Sequence, residues 1–245
     1  MNDEHQLDDT GERMIPTAEG ELSFVFARHR FAYEHARTFV EGKSVLDVGC
    51  GTGYGCKILS ATAASVVGID SSMEAIEFCR NNFAAPNVQF VRMDASTLSL
   101  ERQFDVAISF QVIEHLSDPG RFIDRIKRTV MPGGLILIST PNVRTPTKDS
   151  HTNPFHFSEM SCAQFQQLLE TKFSSFELAG IGYAAPNRLR ALVQSLPFYR
   201  LGRYIKRASA LKKIAGTAMD MTSFRVIRTD VSPDAIDLLT ICTNK

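Results

Sequence analysis

A short apolar run that drives straight into closely spaced glycines, Val45-Leu46-Asp47-Val48-Gly49-Cys50-Gly51-Thr52-Gly53-Tyr54-Gly55, constrains this chain more than any other feature. A strand that ends in glycines lets backbone amides approach a ligand that side chains would hold off, at the carboxyl edge of a sheet. The spacing departs from G-x-G-x-x-G. The glycines fall at 49, 51, 53 and 55, so Tyr54 or Cys56 stands where the third glycine of a dinucleotide site belongs. That weakens a nicotinamide-dinucleotide reading. Asp47 adds a negative charge beside the loop, which a pyrophosphate would not welcome and an ammonium or sulfonium would tolerate. Asp70 closes the next apolar run, where an acidic side chain can accept from both hydroxyls of an adenosine ribose.

The hydrophobic period extends this into an alternating series. A helical stretch carrying Leu22, Phe26, Phe31, Ala36 and Val40 leads into a strand at Val45–Val48. A helix over Cys56–Ala63, a strand over Ser65–Ile69 and a helix over Met73–Asn82 follow. Strands are predicted at Val88–Arg92, Phe104–Phe110 and, behind the turn Pro132-Gly133-Gly134, at Leu135–Ser139, with a helix over Gly120–Val130. Strands alternating with helices imply a parallel sheet covered on both faces. Past Thr140 the rhythm breaks into a polar, proline-bounded loop. A helix at Cys162–Phe173 and strands at Phe176–Ile181 and Ile236–Cys242 complete the series, around an irregular, partly helical insertion at 184–230. The expected layout is an N-terminal cover segment and helix over 1–42 and one domain over 43–245.

Composition narrows the setting. Lys plus Arg and Asp plus Glu are 27 each, so no global field draws the chain to a phosphate backbone. Five scattered cysteines without C-x-x-C pairs, an acidic N-terminus and the lack of any apolar run near the ~18 residues of a membrane helix predict a soluble, cytoplasmic protein with reduced thiols.

Taken in order, the motifs resemble those of class I S-adenosylmethionine-dependent methyltransferases. Val45–Gly55 is similar to their first motif and Val67–Asp70 to the acidic strand end that follows. Phe90-Val91-Arg92-Met93-Asp94-Ala95 resembles the segment at the adenine amine, Phe104–Leu116 the fourth-strand motif, and Met131–Ser139 the turn and strand after it. The resemblance implies a Rossmann-like, doubly wound, mostly parallel seven-stranded sheet that binds S-adenosyl-L-methionine and releases S-adenosyl-L-homocysteine. It implies that Gly49, Gly51 and Gly53 line the methionine moiety beside Asp47, that Asp70 with Ser71 holds the ribose, that Asp94 and Ala95 frame the adenine, and that Gln111 closes the pocket.

Methyl transfer is an in-line displacement at a carbon that the sulfonium already activates, so the protein mainly aligns the acceptor and, for a hydroxyl, removes its proton. Glu114 and His115 beyond the fourth strand, and His151 and His156 in the loop after the fifth, hang over the cofactor edge; His115 and His156 are the leading bases. The segment Thr10-Gly11-Glu12-Arg13-Met14-Ile15-Pro16, with Arg28-His29-Arg30-Phe31-Ala32, resembles the branch of bacterial methyltransferases associated with sugars and cell-surface glycans. That resemblance implies that Glu12 or Arg13 closes over the site, that Arg28 or Arg30 reaches the methionine carboxylate, and that the acceptor is a small molecule of the sugar or glycan-precursor class. N-methylation, another metabolite such as a quinone or phenol, and a non-catalytic binding subunit are the rivals. Ser109-Phe110-Gln111-Val112 lacks the Asn/Asp-Pro-Pro-aromatic run of nucleic-acid amino-methylating relatives, so no nucleic acid is expected. Asp118 and Asp149 are isolated in sequence, so no metal is expected either. The basic run at 200–213 is either a solvated helix face or a weak peripheral contact with a membrane surface.

Overall fold

The computed structural model describes residues 24–100, 103–143, 155–184, 224–227 and 235–245. The leader at 10–16, His151, Asp149 and the basic run at 200–213 lie outside the described residues.

Eight strands form one sheet in the order β3-β2-β1-β4-β5-β8-β6-β7. β1 (Ser44–Val48), β2 (Ser65–Asp70), β3 (Val88–Arg92), β4 (Phe104–Phe110) and β5 (Val130–Pro141) pair in parallel. β8 (Asp237–Thr243) runs antiparallel between β5 and β6 (Phe176–Tyr183), and β7 (Phe224–Ile227) adds antiparallel to the outer edge of β6. The parallel arm reads as near-continuous apolar runs because helices cover both its faces: β1 is buried from Val45 to Val48 and β4 at all positions but Asp105. At the far edge β3 buries only Phe90 fully, the mark of a strand half open to water.

The seven-stranded expectation is short by one. β7 falls inside the segment predicted to be an irregular insertion, and the pairs Gly180↔Ile227 to Tyr183↔Phe224 give it a sheet partner that no local pattern announces. Boundaries shift elsewhere by a few residues. α2 starts at Tyr54 and ends at Leu59, short of Ala63, and α4 is Pro119–Thr129. Caps explain several starts. Ser72 accepts from the Ala75 amide to open α3 (Met73–Asn82), Asp118 accepts from Arg121 with Pro119 in the first turn of α4, and Ser161 with Gln164 forms a capping box on α5 (Cys162–Lys172).

Two cores flank the sheet. On one face α1 (Phe24–Arg37) lays Phe26, Tyr33 and Ala36 against Tyr54, Cys56 and Phe110; on the other, Phe122, Ile126, Phe165 and Leu169 pack on Leu46, Ala107 and Ile138. The strand order reverses between β1 and β4, so the loops that leave these two strands open a crevice at the carboxyl edge. β8 begins at this edge, with Asp237 opposite Pro141.

Candidate active site

The glycine loop is a chain of left-handed turns. Gly49, Gly51 and Gly53 have φ of 76°, 54° and 83°, a region costly for residues with a Cβ. Their surroundings differ. A Cβ on Gly49 would fall inside Val112, so the turn after β4 sits directly against the loop, whereas a Cβ on Gly51 would meet nothing within 4 Å. Gly51 therefore faces open space, and a ligand approaching the loop there meets only backbone.

Asp70, half-buried at the end of β2, accepts from the Gly51 amide at 3.0 Å through Oδ2 and from the Ser72 amide at 2.9 Å through Oδ1. Each carboxylate oxygen has a second lone pair for a ribose hydroxyl. Ser71 is exposed beside it, its carbonyl accepting from Arg92 Nε at 3.1 Å. Asp94 caps a 3-10 turn, η1 (Ala95–Thr97), by accepting from the Ser96 amide at 2.7 Å, and remains exposed with Ala95 half-buried behind it. Gln111 leaves β4 with φ 57°, the only left-handed non-glycine among the described residues. Its amide bonds to the Ser139 carbonyl at 3.0 Å and its Nε2 donates to Ser139 Oγ at 3.2 Å. Strain of this kind at a strand end is what functional edges tolerate.

Two expected residues sit differently. Asp47 does not stand open beside the loop: it is fully buried, accepting from Tyr33 Oη at 3.1 and 3.2 Å and from Cys56 Sγ at 3.2 Å. Burial pushes its carboxyl up to about 7, against the lowering effect of those two donors. Its carboxylate thus lies beneath the loop. Arg28, expected at the cofactor's carboxylate, instead directs Nε to Asp237 Oδ2 at 3.0 Å, with both side chains largely buried. Burial raises Asp237 to about 6, opposed by Arg28 and then by Gln111. An Arg28–Asp237–Gln111 chain therefore ties the cover helix to the edge. Arg30 is exposed. Next to Arg28, His29 is hydrogen-bonded through Nδ1 to the Tyr54 hydroxyl, and burial lowers its pKa to about 4.

A second group, at the turn after β4, gathers residues that are distant in sequence. Glu114 and His115 lie on η2 (Ile113–His115), the 3-10 turn after β4. Glu114 is 1% exposed and accepts from Thr140 Oγ1 at 3.2 Å. Its carbonyl accepts the amides of Phe157 and Ser158 at 2.8 and 3.0 Å, which fastens the segment around His156 over the turn. The rings of His115 and His156 meet edge to face with centroids 4.8 Å apart. His115 Nδ1 is 3.0 Å from the Phe155 carbonyl and His156 Nδ1 2.7 Å from Glu159 Oε1. Of the two carboxylates used to argue against a metal, Asp118 is a helix cap; Glu114, His115 and His156, by contrast, converge to within 4.8 Å. Sequence reasoning missed Tyr33 and Asp237 as partners, which carried no local signal, whereas Glu159 stands three residues after His156 in the same proline-bounded segment.

Comparison with known proteins agrees with this geometry. The Methyltransferase domain family matches residues 24–195. A protein of Mycolicibacterium smegmatis named as a probable S-adenosylmethionine-dependent methyltransferase is 38% identical over 165 residues, 66% of this chain and 63% of that one. A ubiquinone biosynthesis O-methyltransferase of a Chelativorans species is 34% identical over 105 residues, 42% of each chain. The chain thus spans less than two thirds of the length of these relatives. Among solved structures, YcgJ of Bacillus subtilis superimposes with a TM-score of 0.61 over 89% of this chain and 99% of its own at 15% identity, a likeness of fold alone. The chain belongs to the S-adenosylmethionine-dependent methyltransferases, class I in fold, enzymes whose methyl donor is S-adenosyl-L-methionine. Among the described residues no helix is long and apolar enough to cross a membrane.

Proposed function

We propose that the chain transfers a methyl group from S-adenosylmethionine to a hydroxyl oxygen of a small molecule, with Gly49, Gly51, Gly53, Asp70, Ser71, Asp94, Ala95 and Gln111 holding the donor. The observation that carries the oxygen reading is the Glu114, His115 and His156 cluster, two of whose members lie on the turn that follows Val112 at the glycine loop. The acceptor oxygen attacks the methyl carbon, the carbon–sulfur bond breaks with its electron pair on sulfur, and S-adenosylhomocysteine leaves. The hydroxyl proton passes to the imidazole pair. His156 is the preferred base, because Glu159 holds its Nδ1 and fixes the ring.

A sugar or glycan precursor is the favoured acceptor class, supported by the resemblance of the N-terminal segments. A phenol or quinone-like acceptor is the second reading; it is supported by the ubiquinone-pathway relative and by Phe155 and Phe157, 50% and 66% exposed beside the cluster. A methyl-transfer assay over a panel of sugars and phenols separates the two. With the acceptor so found, His156→Ala should lower kcat by about 100-fold or more, the usual contribution of a general base, and turnover within a few fold of wild type would remove His156 from that role.

A further inference from the structure

Glu114, His115 and His156 each bring one potential ligand atom within 4.8 Å of the other two. Both imidazoles use Nδ1 away from one another, His115 toward a backbone carbonyl and His156 toward a carboxylate. Metal-bound histidines are held this way, with the second nitrogen fixing tautomer and ring plane. Glu114 is buried and oriented by Thr140, and its own carbonyl anchors the 155–158 segment that delivers His156. The three residues therefore sit in a braced frame rather than on freely rotating side chains.

We propose that this cluster binds one divalent transition cation through Nε2 of His115, Nε2 of His156 and the Glu114 carboxylate. Ligands ~2.1 Å from a cation stand roughly 3–4 Å apart, so a small movement of these side chains closes the site. Two imidazoles and one carboxylate favour Mn²⁺, Fe²⁺, Co²⁺ or Zn²⁺ over Mg²⁺ and Ca²⁺, which prefer all-oxygen shells. Three protein ligands leave positions open for an acceptor. The inference deepens the proposed function and rests on reading this edge as the acceptor site. With the cation bound, the acceptor hydroxyl would coordinate it and give its proton to water before the alkoxide attacks the methyl carbon, so His115 and His156 would serve as ligands in place of the base role given to the imidazole pair above. In a six-coordinate shell the open positions suit both oxygens of a vicinal diol, whether of a sugar or of a catechol.

The test uses the full chain stripped with EDTA and dialysed, titrated with Mn²⁺ followed by electron paramagnetic resonance and with Zn²⁺ by calorimetry. S-adenosylhomocysteine binding is measured in parallel as the check on folding and on the cofactor site. One bound equivalent is expected, weakened at least ~10-fold by His115→Ala and by His156→Ala, and about 10-fold by Glu159→Gln, which touches only the outer partner of His156. Wild-type protein that binds S-adenosylhomocysteine but neither cation overturns the proposal and leaves the methyltransferase reading standing. Cation binding without S-adenosylhomocysteine binding supports the site and removes the reading of the acceptor edge. If His115→Ala, His156→Ala and Glu159→Gln, each still binding S-adenosylhomocysteine, hold the cation as tightly as wild type, it lies elsewhere and the assignment falls.

Discussion

The two sides of the crevice are built by opposite means. The side proposed to hold the cofactor is written in local sequence: three left-handed glycines, an Asp at a strand end and an Asp capping a turn, each within a few residues of its strand. The side proposed to take the acceptor is made of side chains brought from separate elements, η2, the end of β5 and the 155–159 segment. A site written in local sequence serves one fixed ligand, whereas a site assembled from distant side chains can be retuned to another acceptor without disturbing the strands beneath it.

This contrast can be broken most forcefully at Gly51. Gly51→Val places a β-branched side chain at φ 54° in open space, so the protein should fold at a cost of roughly 1–2 kcal/mol. Calorimetry should show S-adenosylhomocysteine binding reduced by at least about 100-fold, some 3 kcal/mol. Binding as tight as wild type would move the cofactor away from the loop. Next in size is Arg28→Met, which leaves Asp237 buried without its cation. A loss on the order of 3 kcal/mol in urea unfolding is expected, and an unchanged midpoint would mean that the pair does not hold the cover helix.

Asp47 gives a pH signature to the cofactor side. Its folded pKa, about 7, lies above its ordinary value of 3.8, so the folded state binds the extra proton and stability falls as pH rises from about 4 to 7. Asp237 acts in the same sense up to about 6, and His29, lowered to about 4, acts in the opposite sense between about 4 and 6.5. Asp47→Asn removes only the first of these. Relative to wild type its melting temperature should therefore gain as pH is raised through this window; a constant difference would show that Asp47 does not titrate there. The smallest effect belongs to Phe157→Ala. The ring is 66% exposed, so stability should change by less than about 0.5 kcal/mol while KM for an aromatic acceptor rises. A KM unchanged for a confirmed phenolic acceptor would take the ring out of the acceptor wall.

The same contrast explains what could be read from the chain. β3, β4 and α3 fall where the hydrophobic period puts them, because buried strands and amphipathic helices write their period locally. The glycine loop is legible for the same reason: positive φ selects glycine at each turn. β7 was not legible, since four residues at a sheet edge gain their identity only from pairing with β6. Asp47 looked like a ligand because its spacing is right, and only the position of Tyr33 on α1 shows its carboxylate turned inward. The convergence of His156 on Glu114 and His115 depends on two backbone hydrogen bonds to the Glu114 carbonyl that no spacing announces.

The central claim, a methyl donor seated on the glycine loop, is tested most directly by calorimetric titration of the full chain with S-adenosylmethionine. One site, with a melting temperature that rises with donor concentration, is the expected result. No heat and no change in melting temperature would contradict it.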